Sequence, residues 1–409
     1  MADPPDRIAG GNPTHPLFDP VDPAFRADPY PVYAQMRRMG PIADSRSGMW
    51  LISRHRDVAF VLRDRRIGHN DPRDYGADRI IGPDGRPLVS FIGLNPPEHT
   101  HIRALVSKVF TPTWVERLRP SIQVLVDELL DGVLGNTEAD LVSALARPLP
   151  VTIICELLGI PARDRDSFQA WADVLVRGLD VGSRPSRQEL GAAGRAASSY
   201  FLDLAEERRR HPRGDLLSSL AAANSSDNAD ADVLTDAELV GTSVLLLNAG
   251  YETTVNLIGN GILTLLRHPD QLAHVRDNPQ SMPAVIEELL RYDAPVQLVP
   301  RAALEDVEVG GKLIAAGDRM LVFIGAANRD PEVFANADRM DVARRNNPHL
   351  SFAAGIHFCL GAPLARLEAQ LAIGTLLRRA PKLALVTEHP RFRQNFVLRG
   401  PEQLRVRLT

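Results

Sequence analysis

Residues 236–267 read as one helix, and no other feature constrains the fold as strongly. Thr235 and Glu238 form a capping box at its start: the hydroxyl accepts from the third amide, and the carboxylate returns a bond to the cap's own amide. The run that follows, "LVGTSVLLLNAGYETTVNLIGNGILTLLR", is mostly apolar. Thirty-two residues span about 48 Å at 1.5 Å per residue, far above the usual ~11–12 residues. Such a helix must run through the centre of the molecule, with other helices packed around it.

Helical patterns also occur at 31–40, after Asn95, and at 114–135, 150–158, 163–178, 187–210 and 360–379. Asn95 with Glu98 three residues on reads as another capping box, with proline in the first turn. β signals are fewer. "MWLISRHRDVAFVLRD" is a strand leading into a helix, and "VQLVPRAALEDVEVGGKLIAAGDRMLVFIG" places Gly-Gly and Gly-Asp turns between β-branched runs. Residues 65–94 carry five glycines and little pattern, and loops of that length are usually lids or binding segments. The expectation is a mainly α fold with a smaller β-rich portion, one domain over 1–409, opened by an irregular proline-rich segment at 1–31.

The chain has 409 residues and a net charge of −4, which argues against nucleic acid or an anionic membrane as a main partner. No run of ~18 apolar residues could span a bilayer, and no apolar leader opens the chain, so a cytoplasmic protein without a membrane partner is expected. Lys108, Lys312 and Lys382 are the only lysines, so a basic docking surface must be built from guanidinium groups. Two cysteines, Cys155 and Cys359, exclude a disulfide framework.

Cys155, inside "PVTIICELLGI", reads as buried apolar filling. Cys359, in "SFAAGIHFCLGAPLAR", is different. It opens a helix, where free amides and the helix dipole favour a thiolate. Gly355 and Gly361 remove side chains on either side, so a flat, bulky group can approach the backbone, and Phe352 can shield the sulfur. Zinc would need three further ligands at suitable spacing, and none lie nearby; haem iron accepts a single thiolate.

The pattern Phe352-x-x-Gly355-x-His357-x-Cys359-x-Gly361 resembles the haem-binding signature of the cytochrome P450 family at every defining position. Further motifs follow the family's order over essentially the whole chain. The resemblance implies the cytochrome P450 fold and haem b (iron protoporphyrin IX), with Cys359 as the metal ligand. "EELLR" puts Glu288 and Arg291 on one helix face and is similar to the family's buried pair, with Arg339 of "NADRMD" implied as third member; Met340 stands where the family more often has phenylalanine. His99 and Arg103 of "HTHIR", with Arg301 and His357, match propionate-binding positions; propionates buried without such partners would be strongly disfavoured.

In the central helix, Ala249-Gly250-x-Glu252-Thr253 is similar to the family's oxygen-activation motif. The two small residues weaken the helix locally, and the resemblance implies a widening there that admits O2. Thr253 would hold the oxygen or an ordered water, and Glu252 would relay protons from solvent. A plainer reading has the Thr253 hydroxyl bonding back to the Ala249 carbonyl.

The implied activity is monooxygenation: O2 and two electrons are used to hydroxylate or epoxidise a small, largely apolar molecule of polyketide, terpenoid, steroid or fatty-acid type. No nucleotide-binding glycine fingerprint or cluster-type cysteine spacing appears, so the donor is expected to be a separate small ferredoxin, served by a ferredoxin reductase and docked on arginines near Cys359. The protein is expected to act as a monomer. Regions that resemble the family's pocket lining are 65–94, 178–190, Asn248, Val296, Leu298, Val299, Phe396 and Val397. A peroxide-driven peroxygenase is the alternative, against which the Glu252-Thr253 pair counts; a non-catalytic haem binder would need no proton relay.

Overall fold

The computed structural model describes residues 19–44, 48–69, 90–107, 110–178, 185–223 and 234–409. Most of the 65–94 loop and much of the 178–190 turn therefore lie outside the described residues.

The central helix runs from Asp236 to Arg267, and its capping box is formed. The Glu238 amide donates to Thr235 Oγ1 at 3.2 Å, and the Thr235 amide to the Glu238 carboxylate at 2.7 Å. Helices Pro148–Leu157, Arg187–Arg210, Met282–Tyr292 and Ala362–Arg379 pack against it. Leu239, Leu247, Ile258, Ile262 and Leu265 are fully or almost fully buried along its length. Each such side chain contributes about 1.5–3 kcal/mol, so packing, not propensity, fixes this helix.

The expected 114–135 helix is two helices, Pro112–Glu116 and Arg119–Asp131. Pro120 lacks an amide donor and fits only the first turn of a helix, so it forces a new start. The expected irregular N-terminal segment contains a short helix, Pro23–Ala27, capped by Asp22 and anchored by buried Phe25. The Asn95 capping box is not formed. The helix begins at Glu98, the Asn95 carbonyl accepts from the His99 amide at 2.9 Å, and the Asn95 side chain bonds instead to the backbone of His69.

The largest sheet of the β portion has five strands, in the order Ile42–Asp44, Met49–Ile52, Arg319–Val322, Val299–Ala303, Ile67–Gly68. Met49–Ile52 and Arg319–Val322 run parallel, with Trp50 opposite Met320; the other pairs are antiparallel. The Gly-Gly turn joins Val307–Val309 to Lys312–Ile314, with φ of 55° at Gly310 and 80° at Gly311, the left-handed region a hairpin turn of this kind requires. Among the described residues no helix is long and apolar enough to cross a membrane.

Candidate active site

Helix Met282–Tyr292 carries two adjacent carboxylates that serve different structures. Glu288 is fully buried, and Arg291 grips it with two bonds of 2.8 Å. Arg344 Nε at 3.1 Å, Asn347 Nδ2 at 3.2 Å and the Asp341 amide at 2.8 Å complete its shell. Arg291 also donates to the carbonyls of Asn328, Ala337 and Arg339. The implied third member is thus corrected: Arg339 contributes only its carbonyl, its side chain is exposed, and Arg344 supplies the guanidinium. The turn closed by the Arg344 amide on the Asp341 carbonyl (3.0 Å) brings Arg344 inward.

Glu287 accepts from Arg366 at 2.7 and 2.8 Å and lies 3.1 Å from His349 Nε2. Burial pushes its carboxyl up, but the bonds from Arg366 and His349 outweigh it and hold the group at about 2. Arg366 in turn stacks 4.4 Å from the centre of the Phe352 ring, and the Phe352 carbonyl accepts from the Cys359 amide at 2.9 Å. Glu287, Arg366 and His349 therefore brace the cysteine loop. Sequence reasoning missed all three; the doubled Glu287-Glu288 was the available signal.

Cys359 has an exposed surface, yet burial is the largest influence on its thiol and pushes it up, against the amide of Gly361, the guanidinium groups of Arg103 and Arg366, and the amide of Ala362. A sulfur crowded by protein but open on one side sits in a concavity. Burial thus outweighs the help that the helix start gives a thiolate; a bound metal ion would favour one. The two glycines divide their roles. A Cβ at Gly361 would meet nothing within 4 Å, leaving open space, whereas one at Gly355, with φ of +69°, would stand 2.3 Å from the Leu62 carbonyl. Gly355 serves the docking of the loop on the neighbouring helix His55–Val61 rather than the approach of a ligand.

His99, Arg103, Arg301 and His357 do converge. His99 and His357 have ring centroids 4.4 Å apart; His99 Nδ1 and Nε2 and His357 Nε2 are buried without a partner. Burial, then the charge of His69, Arg301, His99 and Arg103, holds His357 down at about 2. Burial and Arg103 also lower His99. Imidazoles with unpartnered nitrogens, crowded beside guanidinium groups, suit an anionic group. His69, which joins this cluster, was not anticipated.

The central helix is unbroken through Ala249-Gly250-x-Glu252-Thr253, so the implied widening is absent. Thr253 Oγ1 donates to the Ala249 carbonyl at 2.7 Å, the plainer of the two sequence readings. A Cβ at Gly250 would lie 3.2 Å from Ile154, so Gly250 permits close packing of the helix Pro148–Leu157 rather than cofactor approach. Leu245, Asn248, Ala249 and Thr253 recur at helical spacing and, with Gly250, retain exposure in a stretch from Leu239 to Leu265 that is otherwise buried. That stripe lines open space. Glu252, by contrast, is buried and paired to Arg393 of the C-terminal segment, not open to solvent as the relay expectation required.

The segments around Val296 and Phe396 are brought together: Val296 bridges Leu398, and the Gln297 amide donates to the Val397 carbonyl at 2.9 Å. Val296, Val299 and Val397 are half-buried. Leu298 and Phe396 instead belong to the aromatic core with Phe25, Tyr33 and Phe323 and are not open lining. Asn248 Oδ1 is buried without a partner.

The open side of Cys359, the open space at Gly361, the unpartnered imidazole nitrogens and the exposed stripe fit a flat, dianionic iron porphyrin. Residues 42–406 match the family model for cytochrome P450. Cytochrome P450 107B1 of Saccharopolyspora erythraea is 42% identical, over 94% of this chain and 96% of that protein. 6-Deoxyerythronolide B hydroxylase of the same organism is 39% identical, over 94% and 97%. The crystal structure of Mycobacterium smegmatis CYP164A2 superposes with a TM-score of 0.87 at 41% identity, over 95% and 98%. The chain belongs to the cytochrome P450 family and is a monooxygenase of it. Haem is the cofactor that this family implies.

Proposed function

We propose that the protein is a haem b monooxygenase that takes electrons from a ferredoxin and oxidises a largely apolar organic molecule. The observation that carries this reading is the partly exposed stripe Leu245–Asn248–Ala249–Thr253 in the largely buried middle of the central helix, which pairs a mostly apolar wall with one amide and one hydroxyl. When bound, the haem supplies O2 activation and oxygen transfer.

Cys359 would hold the iron, with Phe352 and the Glu287–Arg366 pair fixing its loop. His99, Arg103, Arg301 and His357 would hold the carboxylates of the porphyrin edge. Thr253 would hold a proton at Oγ1 by turning from the Ala249 carbonyl to the space beside it. Glu252 would replenish that proton through water, which requires its carboxylate to leave Arg393. Val296, Val299, Val397 and Asn248 would shape the substrate space, mostly apolar with one polar handle. Ile356 and Phe358 are 48% and 44% exposed on the cysteine loop, beside Arg103, which donates to the Phe358 carbonyl, and this mixed apolar and cationic surface suits a small acidic electron donor.

The test is spectroscopic, then kinetic. The reduced, carbon-monoxide-bound protein should show the strongly red-shifted Soret band of thiolate haem, and ferredoxin with its reductase should support substrate oxidation in a salt-sensitive manner. A colourless protein after incubation with hemin overturns the cofactor reading. Turnover sustained by peroxide but not by ferredoxin overturns the donor reading in favour of a peroxygenase.

A further inference from the structure

His69 follows the short strand Ile67–Gly68, and no role described above uses it. One side chain clamps its backbone on both sides: Asn95 Oδ1 accepts from the His69 amide at 2.9 Å, and Asn95 Nδ2 donates to the His69 carbonyl at 2.8 Å. Gly68 makes room for that clamp, since a Cβ there would stand 2.2 Å from Asn95 Oδ1. The residue is 8% exposed. Its ring lies 4.9 Å from that of His357, nearly perpendicular, and its Nε2 is buried without a partner.

Three imidazoles, His69, His357 and His99, thus run edge to face with four buried nitrogens unpartnered. Leaving so many buried donors and acceptors unmade is disfavoured unless something completes them. The missing partner is not a metal ion: among the described residues no three His, Cys, Asp or Glu stand where they could hold one. Nor is it a cation. Burial, then Arg301 and His99, already push His69 down to about 3, so the place resists further positive charge. An anion oxygen satisfies both conditions.

We propose that His69 donates its Nε2–H to a carboxylate of the bound cofactor, as a third imidazole beside His99 and His357, and that Asn95 positions it to do so. The inference rests on the haem reading and adds to it a residue on the sheet side of the cofactor edge, supplied by the strand Ile67–Gly68 rather than by the cysteine loop or the helix Glu98–Ser107. In this arrangement the diverted Asn95 side chain acquires a purpose. It forgoes the helix cap to fix the backbone that carries His69.

The test compares hemin with hemin dimethyl ester, whose acidic groups are blocked. Each is loaded into the wild-type chain, His69→Phe, His69→Gln and Asn95→Ala, and its transfer to an excess of a haem-scavenging globin is timed. His69→Phe keeps the ring packing and loses the donor, so hemin should leave about tenfold faster, the value of one charge-assisted hydrogen bond. His69→Gln keeps an N–H donor and should restore most of the difference; Asn95→Ala should fall between. With the ester, all four proteins should lose the porphyrin at one rate. Equal hemin loss from the wild type and His69→Phe overturns the proposal, and so does an acceleration that persists with the ester, which would mark a packing role. A wild-type chain that never binds hemin overturns the cofactor reading itself, and is distinguishable from both.

Discussion

Glu252 of the central helix and Arg393 of the C-terminal segment form an ion pair across 141 residues of sequence, with the carboxylate buried. Glu252 is flanked by Tyr251, whose hydroxyl accepts from Arg147 at 2.9 Å and donates to Asp173 at 3.2 Å, so this turn of the helix is fastened from two sides while Thr253 beside it faces open space.

Breaking the pair from one side leaves an uncompensated buried charge. Arg393→Gln and Glu252→Gln should each destabilise the fold by about 3–5 kcal/mol, and the double substitution by much less than their sum, because neither charge is then left alone. Urea unfolding of the four proteins measures this; additive losses would show that the two groups do not interact. Activity separates the roles further. Glu252→Gln should slow oxygen-dependent turnover at least tenfold, within the range of a lost general acid, with substrate-induced spectral changes intact. Undiminished turnover would remove the proton role.

Thr253 donates to the Ala249 carbonyl at 2.7 Å, a bond that ties up the proton it would need to offer. Thr253→Ala leaves the helix intact, since the lost bond is a local back-bond that helices do not require. Product formation should fall by about 10²-fold while reductant is still consumed and appears as hydrogen peroxide. Thr253→Ser should keep most of the coupling. Coupled turnover in Thr253→Ala would sink the assignment.

The same fastening shows how far sequence reaches. The start of the helix at Asp236 was legible because it opens with a capping box, a signal contained in four consecutive residues; helix 187–210 was legible from its periodic pattern, and the structure adds a capping box of Ser186 and Glu189 at its start. Glu288 with Arg291 was legible because the two stand one turn apart on one face and the family resemblance singled that pair out. Arg344 was not: three arginines, Arg339, Arg344 and Arg345, lie within seven residues of one loop, and only the turn at Asp341 decides which guanidinium enters the core. Gly250 could not be assigned because sequence does not say that its bare side meets Ile154. Arg393 and His69 meet their partners across 141 and 288 residues, and no local pattern announces such a meeting. Asn95 was misread because a good cap residue is equally good at bonding a neighbouring backbone.

Glu287 and Glu288 should separate in experiment. Glu288→Gln strips a buried charge from Arg291 and Arg344 together and should cost about 3–5 kcal/mol, read as loss of folded, haem-containing protein. Glu287→Gln sits at a half-exposed pair and should be tolerated. Its effect should appear in the cysteine loop, because Arg366 no longer held over Phe352 lets the loop relax: part of the reduced, carbon-monoxide-bound protein should show the Soret band of protonated or displaced thiol. Identical spectra for Glu287→Gln and the wild type would show that the brace does not reach Cys359.

Glu368 lies fully buried on the helix Ala362–Arg379, its Oε2 without a partner, and burial pushes its carboxyl up to about 8. In the unfolded chain the same group releases its proton near the ordinary glutamate value of about 4.3. Between those two values the folded protein holds a proton that the unfolded chain has lost, so the folded state binds more protons and stability falls as pH rises. This group's contribution is complete below about pH 4 and is lost as pH climbs through about 8. Glu368→Gln keeps the neutral shape and cannot ionise, so its unfolding midpoint should exceed that of the wild type increasingly from pH 5 to 8 and converge with it at lower pH. Parallel curves for the two proteins across that range would mean that Glu368 ionises in the folded state, with water or a neighbour completing its carboxylate.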